Sequence, residues 1–148
     1  YIVVLPNNDL GCEIVEQQIE SLRNNPRFKI FPSIEFESFL TLLRCSLFVI
    51  GNSSVGVREA PIYNKWSVNI GSRQQSRSRA RTIYNADNDR EKINRAITYV
   101  LSNSPTTDAI YEFGDGKSVD RFMGIIQDRD IWSMSTQKKF VQLSKSVS

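Results

Sequence analysis

Short apolar runs and helical spacings of apolar residues alternate along the chain. The apolar runs predict five β-strands at residues 1–5, 28–31, 47–50, 67–70 and 82–84. The run at 47–50 has no polar alternation, which is typical of a parallel strand buried on both faces. Residues 1–5 also have the pattern of a buried strand. Because a native N-terminus seldom starts inside such a strand, we expect further chain before Tyr1.

The segments between these runs carry apolar residues three and four positions apart. This spacing predicts helices near residues 14–22, 35–44, 53–60, 89–102 and 119–126. Asp87 or Asn88 is the expected cap of the fourth helix. Strands that alternate with helices imply right-handed βαβ units. The sequence therefore predicts an α/β fold, a Rossmann-like three-layer α/β/α domain with a parallel sheet, over residues 1–127.

Residues 128–148 show no clear periodicity and are predicted to form a C-terminal tail. The tail contains the apolar residues Ile131, Trp132, Phe140 and Val141. Exposed apolar side chains tend to be covered by a partner surface. We therefore expect the tail to dock on a surface outside this chain, in a missing N-terminal domain.

The composition excludes several classes of chemistry. The chain has 148 residues, of which 40% are hydrophobic and 24% are charged, as in an ordinary globular protein. No apolar run approaches the roughly 18 residues that span a bilayer, so we expect a cytoplasmic protein with no membrane partner. The sequence has no His, which excludes a Ser-His-Asp triad and most zinc sites. Cys12 and Cys45 follow no metal-ligand spacing, so we expect reduced, partly buried thiols and no metal.

The strand-to-helix junction at Gly51 is the candidate ligand site. Ligands of open parallel sheets bind at the carboxyl ends of strands, and the run at 47–50 leads directly into Gly51-Asn52-Ser53-Ser54. Free backbone N–H groups and the positive end of the predicted helix would converge there on an anion. Ser53 and Ser54 add hydroxyl donors. The alternative is a plain serine-capped helix that binds nothing.

Glu59 lies about one and a half turns into that predicted helix. A carboxylate at this position cannot face a phosphate at the helix start, but it can accept two hydrogen bonds from ribose hydroxyls. Glu59 and the anion site together predict a nucleotide diphosphate. The alternative for Glu59 is a solvated helix carboxylate, and Arg58 is expected to be a solvated surface charge.

Four arginines lie within nine residues after the fourth predicted strand, at positions 73, 77, 79 and 81. They could contact a nucleic acid, form a mobile active-site loop that brings Arg73 to a phosphate, or form a solvated, flexible loop. Arg73 lies nearest the strand end and is the one we expect to be functional. No aromatic platform lies beside these arginines, so we expect no nucleic-acid partner.

These residues resemble a known family. GNSSVGVREAP at residues 51–61 and NIGSRQ at 69–74 closely resemble hydrolysing UDP-N-acetylglucosamine 2-epimerases, in the branch that makes N-acetylmannosamine for sialic acid synthesis. PNND at 6–9 and FGDG at 113–116 support the resemblance, which runs to about residue 127. It implies the GT-B fold, in which the active site lies between two Rossmann-like domains. This chain resembles the second, C-terminal domain.

The resemblance also implies a reaction. The family eliminates UDP from UDP-N-acetylglucosamine through a 2-acetamidoglucal and then adds water, with no cofactor. Its catalytic acids lie mostly in the first domain, so we expect no catalytic residue in this chain and no activity of the fragment alone. We expect a homo-oligomer when the protein is full length.

Each expected binding residue is carried over from the resemblance at its own position. Ser53 and Ser54 would bind the diphosphate of the UDP-sugar substrate, and Glu59 would hold the ribose hydroxyls. Backbone at Ile34 would meet the uracil, and Arg73 matches a family arginine at the nucleotide site. Two alternatives share this binding mode: a glycosyltransferase domain of the same fold, and an epimerase for another UDP-diacetamido sugar.

Overall fold

The computed structural model describes residues 1–7, 10–105 and 108–137. The chain divides into two compact units, the first spanning Tyr1–Glu112 and the second beginning at Phe113. Five strands lie in the first unit: β1 Ile2–Val4, β2 Lys29–Phe31, β3 Phe48–Gly51, β4 Trp66–Ile70 and β5 Ile83–Ala86. All described strand pairings are parallel, as predicted. The five strands form a two-stranded sheet, β1-β2, and a three-stranded sheet, β3-β4-β5.

The described helices follow the predicted order. They are α1 Cys12–Glu20, α2 Phe36–Cys45, α3 Val55–Arg58, α4 Arg90–Ser102, α5 Ser118–Gln127 and α6 Arg129–Ser133, with a 3₁₀ helix at Ala60–Tyr63. The first four and the 3₁₀ helix belong to the first unit. Among the described helices, none is long and apolar enough to cross a membrane.

The three-stranded sheet carries helices on opposite faces. One face packs against α4 and forms the main core, which consists of Trp66, Val68, Ala86, Ala96 and Val100. The residues between them on β4, Ser67 and Asn69, point to the other face because side chains alternate along a strand. On that face Gly56 of α3 lies against Ser67. The predicted α/β/α layering is therefore confirmed in this sheet.

The sequence pattern misplaced the most deeply buried strand. The run at 47–50 was expected to be buried on both faces, but Ile50 on β3 is 43% exposed. The completely buried strand is β4, from Trp66 to Asn69. β3 lies at an edge of its sheet, and α4 packs mainly on β4 and β5. The expectation that β1 is buried is also wrong, because Ile2 is 51% exposed.

Two local expectations need correction. Asp89, rather than Asp87 or Asn88, caps α4: its carboxylate accepts the Lys92 N–H at 2.9 Å, while the Asp87 carboxylate pairs with the Lys92 ammonium. An aspartate in extended backbone just before the first turn can reach that N–H. Cys12 and Cys45 are free, and Cys45 is exposed rather than partly buried.

The second unit contains α5 and the short helix α6, which lies in the part expected to lack periodic structure. Local hydrogen bonds satisfy both ends of α6. Asp128 accepts the Asp130 N–H at 3.0 Å, and the Met134 N–H donates to the Ile131 carbonyl at 3.3 Å. The Trp132 indole N–H also ties α6 to α5 by donating to the Ile126 carbonyl at 2.8 Å. Phe140 and Val141, which were expected to dock, lie outside the described residues.

Candidate functional site

The loop after β3 carries the predicted serines. Gly51 has φ 150°, a backbone conformation that side chains with a β-carbon disfavour. Ser53 Oγ accepts the Val55 N–H at 3.4 Å, and the Ser53 carbonyl accepts the Gly56 N–H at 3.2 Å. Ser53 thus closes the turn that precedes α3 without being its N-cap residue, and it is exposed. Ser54 is the residue immediately before the helix and is partly buried.

The helix after this loop is shorter than predicted. Instead of one helix over residues 53–60, α3 has four residues and passes into the 3₁₀ helix at Ala60–Tyr63. Pro61 causes the change because it has no N–H to continue the α-helical hydrogen bonds. A four-residue helix sums few peptide dipoles, so the helix-end field is weaker than the sequence suggested. Anion binding here would depend on the serine hydroxyls, nearby N–H groups and arginine.

Glu59 lies where α3 meets the 3₁₀ helix. Its Oε2 is buried and has no hydrogen-bond partner among the described residues, so the solvated-carboxylate alternative is wrong for this oxygen. Thr82 Oγ1 is the other buried side-chain oxygen without a described partner, but Thr82 precedes β5 at the amino end of the sheet. A buried acceptor without a donor is destabilising unless a ligand or water supplies one.

Gln74 connects the arginine loop, residues 73–81, to the loop after β3, residues 52–54. The Gln74 Nε2 donates to the Asn52 carbonyl at 3.1 Å, and Arg77 donates to Gln74 Oε1 at 2.8 Å. Parallel pairing makes this contact possible, since Gly51 on β3 is in register with Asn69 on β4. Arg77 is exposed, and through this hydrogen bond it also holds the Gln74 side chain.

A second contact holds the far end of the arginine loop. The Glu112 carboxylate accepts the Arg79 N–H, at 3.0 and 3.3 Å to its two oxygens. The Ser78 hydroxyl and the Arg79 N–H hold the pKa of the Glu112 carboxyl below its usual value. Together with the Gln74 contacts, this bond ties the loop to the rest of the first unit at residues 74 and 79, while the four arginines are exposed.

The structure places three of the predicted site residues at one sheet edge and another, Ile34, after a strand of the other sheet. Ser53 and Ser54 follow β3 and Arg73 follows β4, so they occupy neighbouring loops at the carboxyl edge of the three-stranded sheet. Arg73 is exposed at that edge. Ile34 follows β2, at the carboxyl end of the other sheet, and is partly buried.

A small crevice lies beneath the β3 loop. It is lined by backbone and side-chain atoms of Val49, Ile50, Gly51, Ser53, Gly56 and Ser67 and has a volume of about 20 Å³. This volume admits one water molecule, whereas small-molecule pockets measure about 300–1,000 Å³. A nucleotide would therefore have to lie across the open carboxyl edge rather than inside this crevice.

Polar loops at the carboxyl edge of a parallel sheet, with helices on both faces, define a Rossmann-like domain. The chain belongs to the UDP-N-acetylglucosamine 2-epimerase family, whose model matches residues 1–127. This membership confirms the family that the sequence resembles.

Relatives of known name agree with this assignment. A UDP-N-acetylglucosamine 2-epimerase of Neisseria meningitidis serogroup B is 37% identical over 97% of this chain and 38% of its own length. A hydrolysing UDP-N,N'-diacetylbacillosamine 2-epimerase of Legionella pneumophila is 28% identical over 93% of this chain and 36% of its own. The chain thus spans somewhat more than a third of these relatives.

One solved structure supports the fold. A UDP-GlcNAc 2-epimerase from Methanocaldococcus jannaschii superposes with a TM-score of 0.62 at 18% identity, over 85% of this chain and 35% of that one. At this identity the likeness bears on the fold alone. It supports the Rossmann-like α/β architecture.

Proposed function

We propose that the chain is the UDP-binding, C-terminal domain of a hydrolysing UDP-N-acetylglucosamine 2-epimerase, in the synthesis of sialic acid, a related nonulosonate or a capsule. The observation that carries the proposal is Glu59 Oε2, a buried acceptor without a described partner. Glu59 immediately follows α3, and α3 follows the loop of residues 52–54, which we call the serine loop. Ribose hydroxyls are donors that would satisfy this oxygen.

The proposed diphosphate-binding residues lie in the loops at the carboxyl edge of the three-stranded sheet. Ser53 and Ser54 donate hydroxyl hydrogen bonds to the diphosphate, and Arg73 on the neighbouring loop supplies positive charge. Charge-assisted contacts of this kind substitute for the weak field of the short helix α3. Backbone at Ile34 contacts the uracil.

We assign the chemical step to groups outside this chain. In the proposed reaction the bond from C1 of the sugar to UDP breaks and C2 loses a proton, which gives the 2-acetamidoglucal. Water then adds across the double bond, with the hydroxyl at C1 and the proton on the opposite face of C2, and N-acetylmannosamine results. The proton transfers need acid–base groups within hydrogen-bond reach, which we assign to a preceding domain.

The test uses the full-length protein that carries this chain. We expect UDP to bind in titration calorimetry and Glu59→Ala to weaken it by about 10- to 100-fold, because two hydrogen bonds of about 1 kcal/mol each are lost. Glu91→Ala is the control, since Glu91 is an exposed carboxylate on α4 that pairs with Arg95. Absence of UDP binding in the full-length protein would refute the proposal.

Product analysis separates the proposed activity from its alternatives. Incubation with UDP-N-acetylglucosamine and water should release free N-acetylmannosamine and UDP. Transfer of the sugar to an added acceptor would instead indicate a glycosyltransferase. Preferential turnover of UDP-N,N'-diacetylbacillosamine, the sugar named for the Legionella relative, would place the protein with the diacetamido-sugar epimerases.

A further inference from the structure

Gln74 is buried, although its neighbours on both sides in the loop are exposed. Its side chain is 3% exposed, whereas Arg73, Gln75 and Ser76 are all exposed. Burying a glutamine is costly unless both ends of its amide are hydrogen-bonded. Both ends are satisfied here, one by the Asn52 carbonyl and the other by Arg77.

The orientation of this amide is determined by its two partners. The Arg77 guanidinium can only donate, so it requires the oxygen of the Gln74 amide. The Asn52 carbonyl can only accept, so it requires the amide nitrogen. A glutamine satisfies both requirements, whereas a glutamate could not donate to Asn52 and would place a carboxylate against a carbonyl oxygen.

The contact joins the two loops that carry the proposed phosphate-binding residues. Asn52 immediately precedes Ser53, and Gln74 immediately follows Arg73. A shift in either loop would alter the spacing between the serine hydroxyls and the arginine. Binding groups that are held in place before the ligand arrives lose less entropy on binding.

We propose that Gln74 is a positioning residue that sets the distance between the serine loop and Arg73, so that both act on one diphosphate. The inference rests on the proposed function of this edge. Gln74 itself does not contact the nucleotide in this proposal. A substitution of Gln74 should therefore lower the affinity for ligands that carry the diphosphate and leave the affinity for the nucleoside unchanged.

The experiment compares Gln74→Glu with Gln75→Glu in the full-length protein. Both substitutions add one negative charge at adjacent positions, but Gln75 is exposed. Titration calorimetry gives the affinity for UDP, and displacement of bound UDP gives the affinity for uridine. We expect Gln74→Glu to lower the affinity for UDP by about tenfold, as for the loss of one buried hydrogen bond, and the affinity for uridine by less than about twofold.

Arg77→Ala is the second variant, because it removes the donor that orients the amide without placing a charge in the interior. It should weaken UDP in the same direction, while Gln75→Glu should leave UDP binding near the wild-type value. Equal losses for UDP and uridine, or equal effects of Gln74→Glu and Gln75→Glu, would overturn the positioning role and leave the proposed function standing. Absence of UDP binding in the wild-type protein would overturn both.

Discussion

Gly56 of α3 lies so close to Ser67 of β4 that a β-carbon on Gly56 would stand 2.3 Å from Ser67 Oγ and 3.5 Å from Ser67 Cβ. The first distance is well inside van der Waals contact, and the second is an ordinary contact. Glycine therefore allows the short helix to approach the buried strand, and the serine loop before α3 is placed through this contact.

Gly56→Ala should destabilise the chain by about 1–3 kcal/mol, because the new methyl group overpacks the interface with β4. Gly56→Ala combined with Ser67→Ala should recover much of the loss, since the oxygen at 2.3 Å is removed. Urea unfolding followed by circular dichroism measures both.

Gly124→Ala is the matched control for this experiment. Gly124 lies within α5, and a β-carbon added there would meet no described atom within 4 Å. Alanine there should be neutral or stabilising by up to about 1 kcal/mol, because it favours the helix. A Gly56→Ala variant as stable as Gly124→Ala would show that the close approach is not required.

Trp66→Phe should destabilise the first unit by about 1–3 kcal/mol. The Trp66 indole N–H donates to the Asn103 carbonyl at 2.6 Å, and its ring packs edge-on against Tyr99 at 5.5 Å between centroids. Phenylalanine removes this donor and leaves part of the space of a buried ring unfilled in the core, since Trp66 is 9% exposed. Chemical denaturation of the purified chain gives the change in unfolding free energy.

Trp132→Phe serves as the comparison for Trp66→Phe. Trp132 also donates to a backbone carbonyl, that of Ile126, but it is 74% exposed whereas Trp66 is 9% exposed. Water replaces the lost donor at the exposed position, so the cost should stay below about 1 kcal/mol. Equal losses of unfolding free energy in Trp66→Phe and Trp132→Phe would contradict the prediction that burial makes the Trp66 substitution more costly.

Glu35 should make the stability of α2 depend on pH. Its carboxylate accepts the Ser38 N–H at 2.9 Å and the Glu37 N–H at 3.1 Å, and these bonds hold the pKa of Glu35 below its usual value. A lowered pKa in the folded state means that the stabilisation is complete above the unfolded pKa, and that it is lost as pH falls through the folded pKa.

Glu35→Gln should therefore lower Tm at pH 7 and differ little from wild type at pH 2–3. Differential scanning calorimetry across this range tests it. Glu13→Gln is the control, because Glu13 also lies in the first turn of a helix, but α1 has no side-chain cap. A Tm difference between Glu35→Gln and wild type that persists unchanged into acid would contradict the capping role.

Glu112→Ala should release the far end of the arginine loop, because it removes the acceptor of the Arg79 N–H. Trypsin cleaves after arginine, so limited proteolysis with mass spectrometry should show several-fold faster cleavage after Arg77, Arg79 and Arg81. Glu91→Ala removes an exposed carboxylate from α4 and should leave cleavage in this loop unchanged. Identical digestion of the two variants would argue against anchoring by Glu112.

The candidate site was only partly visible in the sequence. Ser53, Ser54 and Arg73 were identified because they follow apolar runs, and parallel strands place such residues at one edge. Gln74 was missed because a glutamine among arginines and serines has the pattern of a solvated loop. Its partner Asn52 is 22 positions away, and only the pairing of β3 with β4 brings the two together.

The sequence by itself determined the order of the five strands and of α1 to α5, because apolar spacing and turn residues are local properties of the chain. Gly51 ends β3 for this reason, whereas α3 ends at Arg58 and Pro61 lies within the 3₁₀ helix that follows. Only the tertiary structure decided which strand is buried, since burial depends on the neighbours that a strand acquires. β4 is enclosed between β3 and β5 and covered by α4, while β3 lies at an edge with Ile50 exposed. Glu59 Oε2 and Gln74, which carry the two proposals, are likewise buried only in the folded chain.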